Sequence, residues 1–476
     1  MESMIKENGL TFKEIEQKIY EYFCKEARNA AAEFLEEYDR MLMKTRDKTA
    51  YRHKGKRQTT VKTVFGEVTY SRAIYEHTEE DGSCRFTYLL DETLDLKTAG
   101  LISENYAEKL VSGITTKSYR SCAEEVTKTS GQSISAMGVW NVVQALGETV
   151  CEEEKQLVRR HKNKKLKGSR NVPVLFEETD GVNIKLQGKD RRGTENGKAE
   201  MKVAIAYDGW KSTGKDRYVL DGKVAFAGFE KSGDFHKIRE AKIAAEYDLD
   251  ETEVRILNGD GATWIKKVPD RSTYFQLDPF HRNKAVKDHI RKPKAVDDIM
   301  SYFRENDISG MFRYLYIYRD SLSDDAEIKD AEELIKYFKG NEDGLLPYQK
   351  QLEGEIPESP KGLTYRNMGT MENHIWSIVA KRMKHNHTTW SKRGANNLAK
   401  LLAKKCEGKL HEVTAKLHRP LFEEDKTGEL LGEILTAAKV PKKTGTGYAY
   451  PVMGTLPCLE SALRGDGRKA FRMAGY

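Results

Sequence analysis

A chain of 476 residues, 38% apolar and 33% charged, has room for two to four domains and a sizeable core. No uninterrupted apolar run approaches the roughly 20 residues of a membrane span, so a helical membrane protein is excluded. The net charge of +7 is modest for this length, so a polyanionic partner would be met by local concentrations of positive charge. The start, MESMIKENGL, has no apolar signal core, and a cytoplasmic location is expected. Cys24, Cys84, Cys122, Cys151, Cys406 and Cys458 are scattered without a CxxC, which argues for reduced thiols and against a zinc ribbon.

Thr11 to Met43 reads as one long helix. Thr11 and Glu14 fit a capping box, and Phe12, Ile15, Ile19, Tyr22, Phe23, Phe34, Leu35, Tyr38 and Leu42 recur at helical spacing. This is a packing stripe, part of which could pair with a second subunit. From Tyr51 to Tyr75 a flexible basic run, RHKGKR, leads into two alternating segments around Phe65-Gly66, a hairpin. Its cations would hold phosphates or serve as a solvated edge. Ile102 to Gly147 is helical, with Ser118 as one cap, a turn at Thr129-Ser130-Gly131, and Ser133 or Ser135 as a second cap. That is a helix-turn-helix pattern, with Ala123, Val126, Ile134, Val139, Val142 and Leu146 inward. The densest positive run, RRHKNKKLKGSR, reads as a linker and domain boundary. Its Arg159, Arg160, Lys162, Lys164, Lys165, Lys167 and Arg170 would lie along DNA phosphates or simply face solvent.

A mixed α/β domain starts at Asn171. VPVLFEETDGVNIKLQ, KAEMKVAIAYDGW and RYVLDGKVAFAGFE read as three strands, and SGDFHKIREAKIAAEYDL as a helix with Phe235, Ile238 and Ala241 inward. A buried strand, Val254 to Leu257, then enters the sharp turn Asn258-Gly259-Asp260-Gly261, which delivers Asp260 at the strand's carboxyl end. A short strand, STYFQLDPF, follows. Lys284 to about Gly354 reads as an all-helical insertion closed by Pro357 and Pro360. Thr370 to Met383 is a helix on which Glu372, Trp376, Val379 and Met383 share a buried face.

Asp180, Asp260 and Glu372, brought together by folding, would form a hard-oxygen site for magnesium or manganese. An Asp-Gly turn and a Glu in the first turn of a helix are the ordinary alternatives. Glu178 points the same way as Asp180 along its strand, whereas Glu177 points to the opposite face. Lys381, Arg382, Lys384, Lys392 and Arg393 could clamp substrate phosphates. His385 and His387 alternate like ligands but lack a matching cysteine pair. Beyond Leu398 come charged helices and a Gly- and Pro-rich tail, Lys442 to Pro457.

NGDGATWIK, followed by QLDPFHRNKA and GTMENHIWSIVAKRMK, resembles the ISLre family of bacterial insertion-sequence transposases, relatives of the Mutator-like transposases. The resemblance covers nearly the whole chain, and its motifs are specific in combination. It implies a DDE transposase with a ribonuclease H-like mixed sheet, a helical N-terminal DNA-binding region and a bacterial, nucleoid-associated location. Asp180, Asp260 and Glu372 match the three acidic positions. Asp278 and His281 match an Asp-x-x-His element between the second and third acids, and would support the site through an outer hydrogen bond rather than as primary ligands.

The expected organisation is an N-terminal helix (1–50), a basic hairpin region (51–100), a helix-turn-helix-like region (101–158) and a basic linker (159–170). The core then runs over 171–283, a helical insertion over 284–360, the final catalytic helix over 361–405 and a C-terminal tail over 406–476. End recognition is expected within 51–170, separate from catalysis. Two Mg2+ or Mn2+ ions, held by the acids roughly 4 Å apart, would drive phosphodiester hydrolysis and strand transfer. The partners would be double-stranded DNA, both element ends and target, and a second copy of the chain in a dimer or higher oligomer. A structure-specific nuclease or resolvase, or a DNA-binding repressor without catalysis, are the alternatives.

Overall fold

Along an extended strand side chains alternate between faces, and in Val174–Lys185 (β4) this alternation separates two kinds of buried polar group. In the computed structural model Glu177 meets Arg255 on one face at 2.6 Å. Glu178 and Asp180 face the other way. The structure describes residues 11–79, 82–94, 101–130, 132–266, 273–385 and 388–415; His387, Cys458 and the tail Lys442–Pro457 lie outside them. The chain divides into two compact units, one from 1–109, 123–135 and 414–476, the other from 110–122 and 136–413.

In the first unit, Phe12–Thr45 forms one helix (α1), closed at its start by the expected Thr11–Glu14 capping box. Tyr38, Leu35 and Leu42 pack with Val61, Val68, Tyr70 and Leu90. Phe12, Ile19 and Tyr22 are exposed, so the N-terminal half of the stripe is not buried in the unit. Tyr51–Thr63 (β1), Gly66–Thr78 (β2) and Cys84–Thr87 (β3) form an antiparallel sheet. The basic run RHKGKR is therefore strand, not flexible chain: it pairs with β2, and Lys54 meets Glu76 at 2.8 Å.

Three helices follow, Glu104–Ile114 (α2), Tyr119–Ser130 (α3) and Ala136–Lys162 (α4). Ser118 accepts from the Ser121 N–H at 3.0 Å, as its capping role requires. The last helix is far longer than expected and absorbs the start of the basic run, so Arg159, Arg160 and Lys162 sit in its final turn. Cations are favoured there because they face the negative end of the helix dipole. Helix α4 belongs to the second unit and buries Val139, Val142, Val143, Leu146 and Val150. The division thus falls inside the segment expected to be a helix-turn-helix rather than at the basic run.

The second unit is built on a five-stranded sheet of order β10-β9-β4-β5-β8. Its other members are Lys198–Tyr207 (β5), Val224–Gly228 (β8), Val254–Gly259 (β9) and Thr273–Leu277 (β10). β5 runs antiparallel to β4 and to β8, whereas β9 runs parallel to β4 and to β10. One expected strand, Arg217 to Glu230, is really two. Gly222, at φ +60, breaks it, and Arg217–Asp221 (β7) joins Gly209–Gly214 (β6) and Leu363–Thr364 (β11) in a separate small sheet. A Cβ at Gly222 would lie 2.4 Å from the Tyr247 hydroxyl, so the turn requires glycine.

Helix Ser232–Glu246 (α5) covers one face, where Arg255 bridges Glu177 and Glu240. Between β10 and β11 lie Pro279–His289 (α6), Pro293–Glu305 (α7), Ile308–Asp320 (α8) and Asp325–Lys339 (α9), with no strand among the described residues. Val286, Ile299, Phe303, Met311, Leu315, Leu334 and Phe338 give them a core of their own. The chain returns as a continuous helical stretch, Met371–His374 (α10), the π-helical Ile375–Ala380, and Lys381–Met383 (α11). Lys392–Cys406 (α12) packs on α4, β8 and the π segment.

Candidate metal centre

Parallel pairing aligns residues in rows across β4, β9 and β10. Thr179 pairs with Gly259 and Gly259 with Leu277, so the next residues, Asp180, Asp260 and Asp278, stand side by side. One same-facing step earlier, Glu178 pairs with Asn258 and Asn258 with Gln276. A row of carboxylates therefore lies directly above a row of buried polar side chains. The turn after β9 must be glycine-rich. A Cβ at Gly259 would sit 2.8 Å from Ile265, and Gly261 adopts φ +85.

The first helix after β10 brings His281 over this row. Asp278 caps it, its carboxylate accepting from the Phe280 N–H at 2.8 Å and the His281 N–H at 3.4 Å. Helix α10 brings Glu372 from the other direction. The His281 Nε2 lies 3.4 Å from Asp180 Oδ2 and 3.7 Å from Glu372 Oε1. One ligand atom from each of Asp180, His281 and Glu372 falls within a 4.8 Å group. His281 thus stands among the potential ligands, not outside them. Asp278 keeps the supporting place expected of it. Asp260 stands outside that group and flanks it: its carboxylate accepts from the Ala262 N–H at 2.8 Å, and the charges of Asp180 and His281 act on it.

The electrostatics show an excess of negative charge. Burial, then the charge of Asp180, pushes the Asp260 carboxyl upward. The same two causes push up that of Glu372. Burial opposes a charge on His281, but the contact with Asp180 and the fields of Asp278 and Asp260 leave its imidazole above the ordinary value. Two carboxylates and one imidazole within reach of one another, with the Asp260 carboxylate beside them, are a hard, mainly oxygen set of the kind that holds magnesium or manganese. A divalent cation would relieve the repulsion that raises Asp260 and Glu372, so these residues fit such an ion.

Glu372 and Trp376 are not on the buried face expected of them. Both are exposed, whereas Val379 and Met383 are buried. The π segment winds fewer degrees per residue than an α-helix, which turns the later residues towards the core and leaves Glu372 at the open edge. Glu178 does not reach the ligand group. Its oxygens accept instead from Tyr207, Asn258, Thr370 and three backbone N–H groups.

The expected phosphate ligands divide. Arg159, Arg160, Lys162, Lys164, Lys165, Lys167, Lys381 and Lys384 are exposed, although Lys167 also meets Asp248 at 3.0 Å and Lys381 lies over Trp376. Arg170 is committed to Asp221 at 2.6 Å and to Asp208 at 2.5 Å. Arg382 is buried, donates to the Ile114 carbonyl at 2.8 Å and lies between the Tyr119 and Trp390 rings. Neither of these two is open to a phosphate. Lys284, unnoticed in the sequence, is exposed, and its charge reaches Glu372. Its place on the helix that follows Asp278 was the available signal.

The model of an uncharacterised protein family, UPF0236, matches residues 5–417 of the chain. Several UPF0236 proteins of Caldanaerobacter subterraneus subsp. tengcongensis are similar to it. One is 28% identical over 415 residues, covering 85% of this chain and 80% of the relative, and its name carries eleven locus designations. Another is 27% identical over 419 residues, covering 85% and 81%. A third, at the same identity and 80% coverage of its own length, carries four designations.

Proposed function

The chain belongs to the uncharacterised protein family UPF0236, and we propose that it is a DDE-type DNA transposase acting on the ends of a bacterial insertion sequence. The observation that carries this reading is the meeting of Asp180, Glu372 and His281 in one group beside Asp260. Two supporting facts come from outside the site. Strand order β10-β9-β4-β5-β8, with β4, β5 and β8 antiparallel and β9 and β10 parallel to β4, suits a ribonuclease H-like core. A relative named under eleven locus designations in one organism suits a gene carried in many copies, as a mobile element is.

In this reading Asp180, Asp260 and Glu372, with His281, hold divalent ions, whose charge would activate the attacking oxygen and stabilise the leaving one. The residues of the chain do the positioning. Glu372 enters from a helix, whereas Asp180 lies on a strand and Asp260 follows one, so these carboxylates would hold an ion from different elements rather than crowd one side. Lys284 and Lys384 are free to meet the flanking phosphates. No protein nucleophile is required, because the attacking group is water in cleavage and a DNA 3′-hydroxyl in joining.

The test uses the purified full chain and DNA carrying the sequences that flank its gene. Cleavage is expected with magnesium or manganese and none with excess chelator. Asp180→Asn and Glu372→Gln are expected to lose at least about 100-fold in rate, the upper end of what supporting residues cost, while keeping the wild-type circular dichroism. Undiminished cutting in chelator would sink the metal mechanism. Full activity in Glu372→Gln would remove that residue from the site.

A further inference from the structure

Directly beneath the acidic row lies a second row, Glu178, Asn258 and Gln276, which the chemistry above does not use. All three are at most 3% exposed. Gln276 Nε2 donates to Asn258 Oδ1 at 3.1 Å, and its own carbonyl oxygen accepts from the Tyr348 N–H at 2.8 Å. Asn258 then spends both amide hydrogens on carboxylates, one to Glu178 Oε2 at 3.1 Å and one to Asp278 Oδ2 at 2.6 Å. Glu178 completes the chain. Its Oε1 accepts from the Tyr207 and Thr370 hydroxyls at 2.7 and 2.6 Å, and its Oε2 from the N–H groups of Gly369, Thr370 and Met371 at 3.2, 2.9 and 3.2 Å.

Two members of this row, Glu178 and Asn258, each hold one part of the site. Gly369, Thr370 and Met371 are the turn from which α10 starts, and Glu372 is the next residue. A carboxylate at a helix start satisfies N–H groups that have no partner within the helix. Gly369, at φ +119, lets the turn bend its N–H inward. Asp278, held by Asn258, caps the helix that carries His281. Glu178 and Asp180 are two residues apart on one strand face. The distance from Asp180 to Glu372 is therefore set through a rigid strand and a fully bonded carboxylate, not through the exposed Glu372 side chain itself. Buried polar networks of this kind rigidify what they touch when every member is satisfied.

We propose that Glu178 and Asn258 are positioning residues, a buried clamp that sets the spacing of Asp180, His281 and Glu372 and so determines the affinity of the site for divalent cations. This rests on the metal-dependent reading of the site. Metal ligands owe much of their affinity to such outer partners, whose loss costs about 10–100-fold.

The test is Mn2+ binding by the full chain, followed by electron paramagnetic resonance of free Mn2+, without DNA. Glu178→Gln keeps the shape of the side chain but loses its charge and sets an amide N–H against two hydroxyls. Its Mn2+ dissociation constant is expected to rise about 10-fold or more. Thr370→Val, which removes one donor and leaves the backbone bonds, should move the constant the same way by less. Glu177→Gln, one residue away on the opposite face, should lower the melting temperature and leave Mn2+ affinity unchanged. If wild-type chain takes up no Mn2+, the metal reading itself fails. If it binds while folded Glu178→Gln binds equally well, the clamp is overturned. Should Glu178→Gln not fold, unchanged affinity in Thr370→Val overturns it instead.

Discussion

Glu177 and Glu178 are adjacent, both wholly buried, and have opposite jobs. Glu177 joins a charge cluster on the α5 face, with Arg255 shared between it and Glu240. Burial alone would raise the Glu240 carboxyl, but the charge and hydrogen bonds of Arg255, then those of Arg239, hold it down to about 2. A folded-state value below the ordinary 4.5 means that the unfolded chain binds the proton more readily. The cluster's contribution is therefore complete above about pH 4.5 and is lost as the pH falls from there towards 2. Glu240→Gln leaves buried arginine charge short of a partner and should cost about 3 kcal/mol at pH 7. The gap between variant and wild type, measured by denaturant unfolding, should narrow below pH 4.5. A gap constant down to pH 3 would show that the Glu240 charge contributes nothing. At this scale the sequence was informative where a motif marks a position: Asp180 and Glu372, named from the sequence, fall in one group, and Asp260 stands beside it. The place of His281 among the ligands could not be named in advance, because its distance from Asp180 depends on how Asp278 caps a helix. The pairing of Arg170 with Asp208 and Asp221 and the burial of Arg382 were equally hidden, since a basic residue in a basic run looks the same whether it meets a phosphate or an aspartate.

Among the elements, the parallel register of β4, β9 and β10 does most to make the site, because it turns three separate Asp residues into one row. Strand existence was legible from apolar runs bounded by glycine. Register was not, because the sequence offered no turn linking parallel strands. The long helix α4 shows a second limit. Its last turn, Arg159 to Lys162, reads as linker, yet it continues a helix in which Glu154 is 3% exposed and anchors it to the core. Lys400 on α12 is buried between Glu154 at 2.8 Å and Glu230 at 2.7 Å, joining α4, α12 and the loop after β8. Burial lowers the readiness of Lys400 to carry charge, but the two carboxylates reverse this and raise it above the ordinary lysine value. Lys400→Met strands the buried Glu154 and the partly buried Glu230 and should destabilise by about 3 kcal/mol. The triple change Lys400→Met, Glu154→Leu, Glu230→Leu should recover most of that loss, since a well-packed apolar substitute for a buried ionic group is often neutral. Chemical denaturation of the three proteins decides it. If the single variant is as stable as wild type, the triad does not tie the elements together.

For the whole molecule, the question is how a chain with only +7 net charge would hold DNA. Its densest run of exposed cations is Arg159 to Lys167, at and just beyond the end of α4. Because α4 buries its apolar side within the second unit, this basic stretch is fixed to that unit and is not a free linker. A fragment ending before Asn171 would strip away the partners of Val139, Val142 and Val150, so binding has to be tested on the intact chain. Each phosphate contact releases condensed counterions and contributes about 0.9 to the slope of log affinity against log salt. Replacing Arg159, Arg160, Lys162 and Lys164 together by glutamine should therefore weaken binding to any duplex and flatten the slope by up to about 3.6. Because three of them sit at the negative end of the α4 dipole, the melting temperature should fall by about 2–4 °C, with no loss of the fold. The same loss is expected for end and for random DNA, because phosphates position a protein without reporting sequence. Fluorescence anisotropy titrations at several salt concentrations measure both. An unchanged slope would free this stretch of any DNA role and move the backbone contacts to Lys284, Lys381 and Lys384 around the acids.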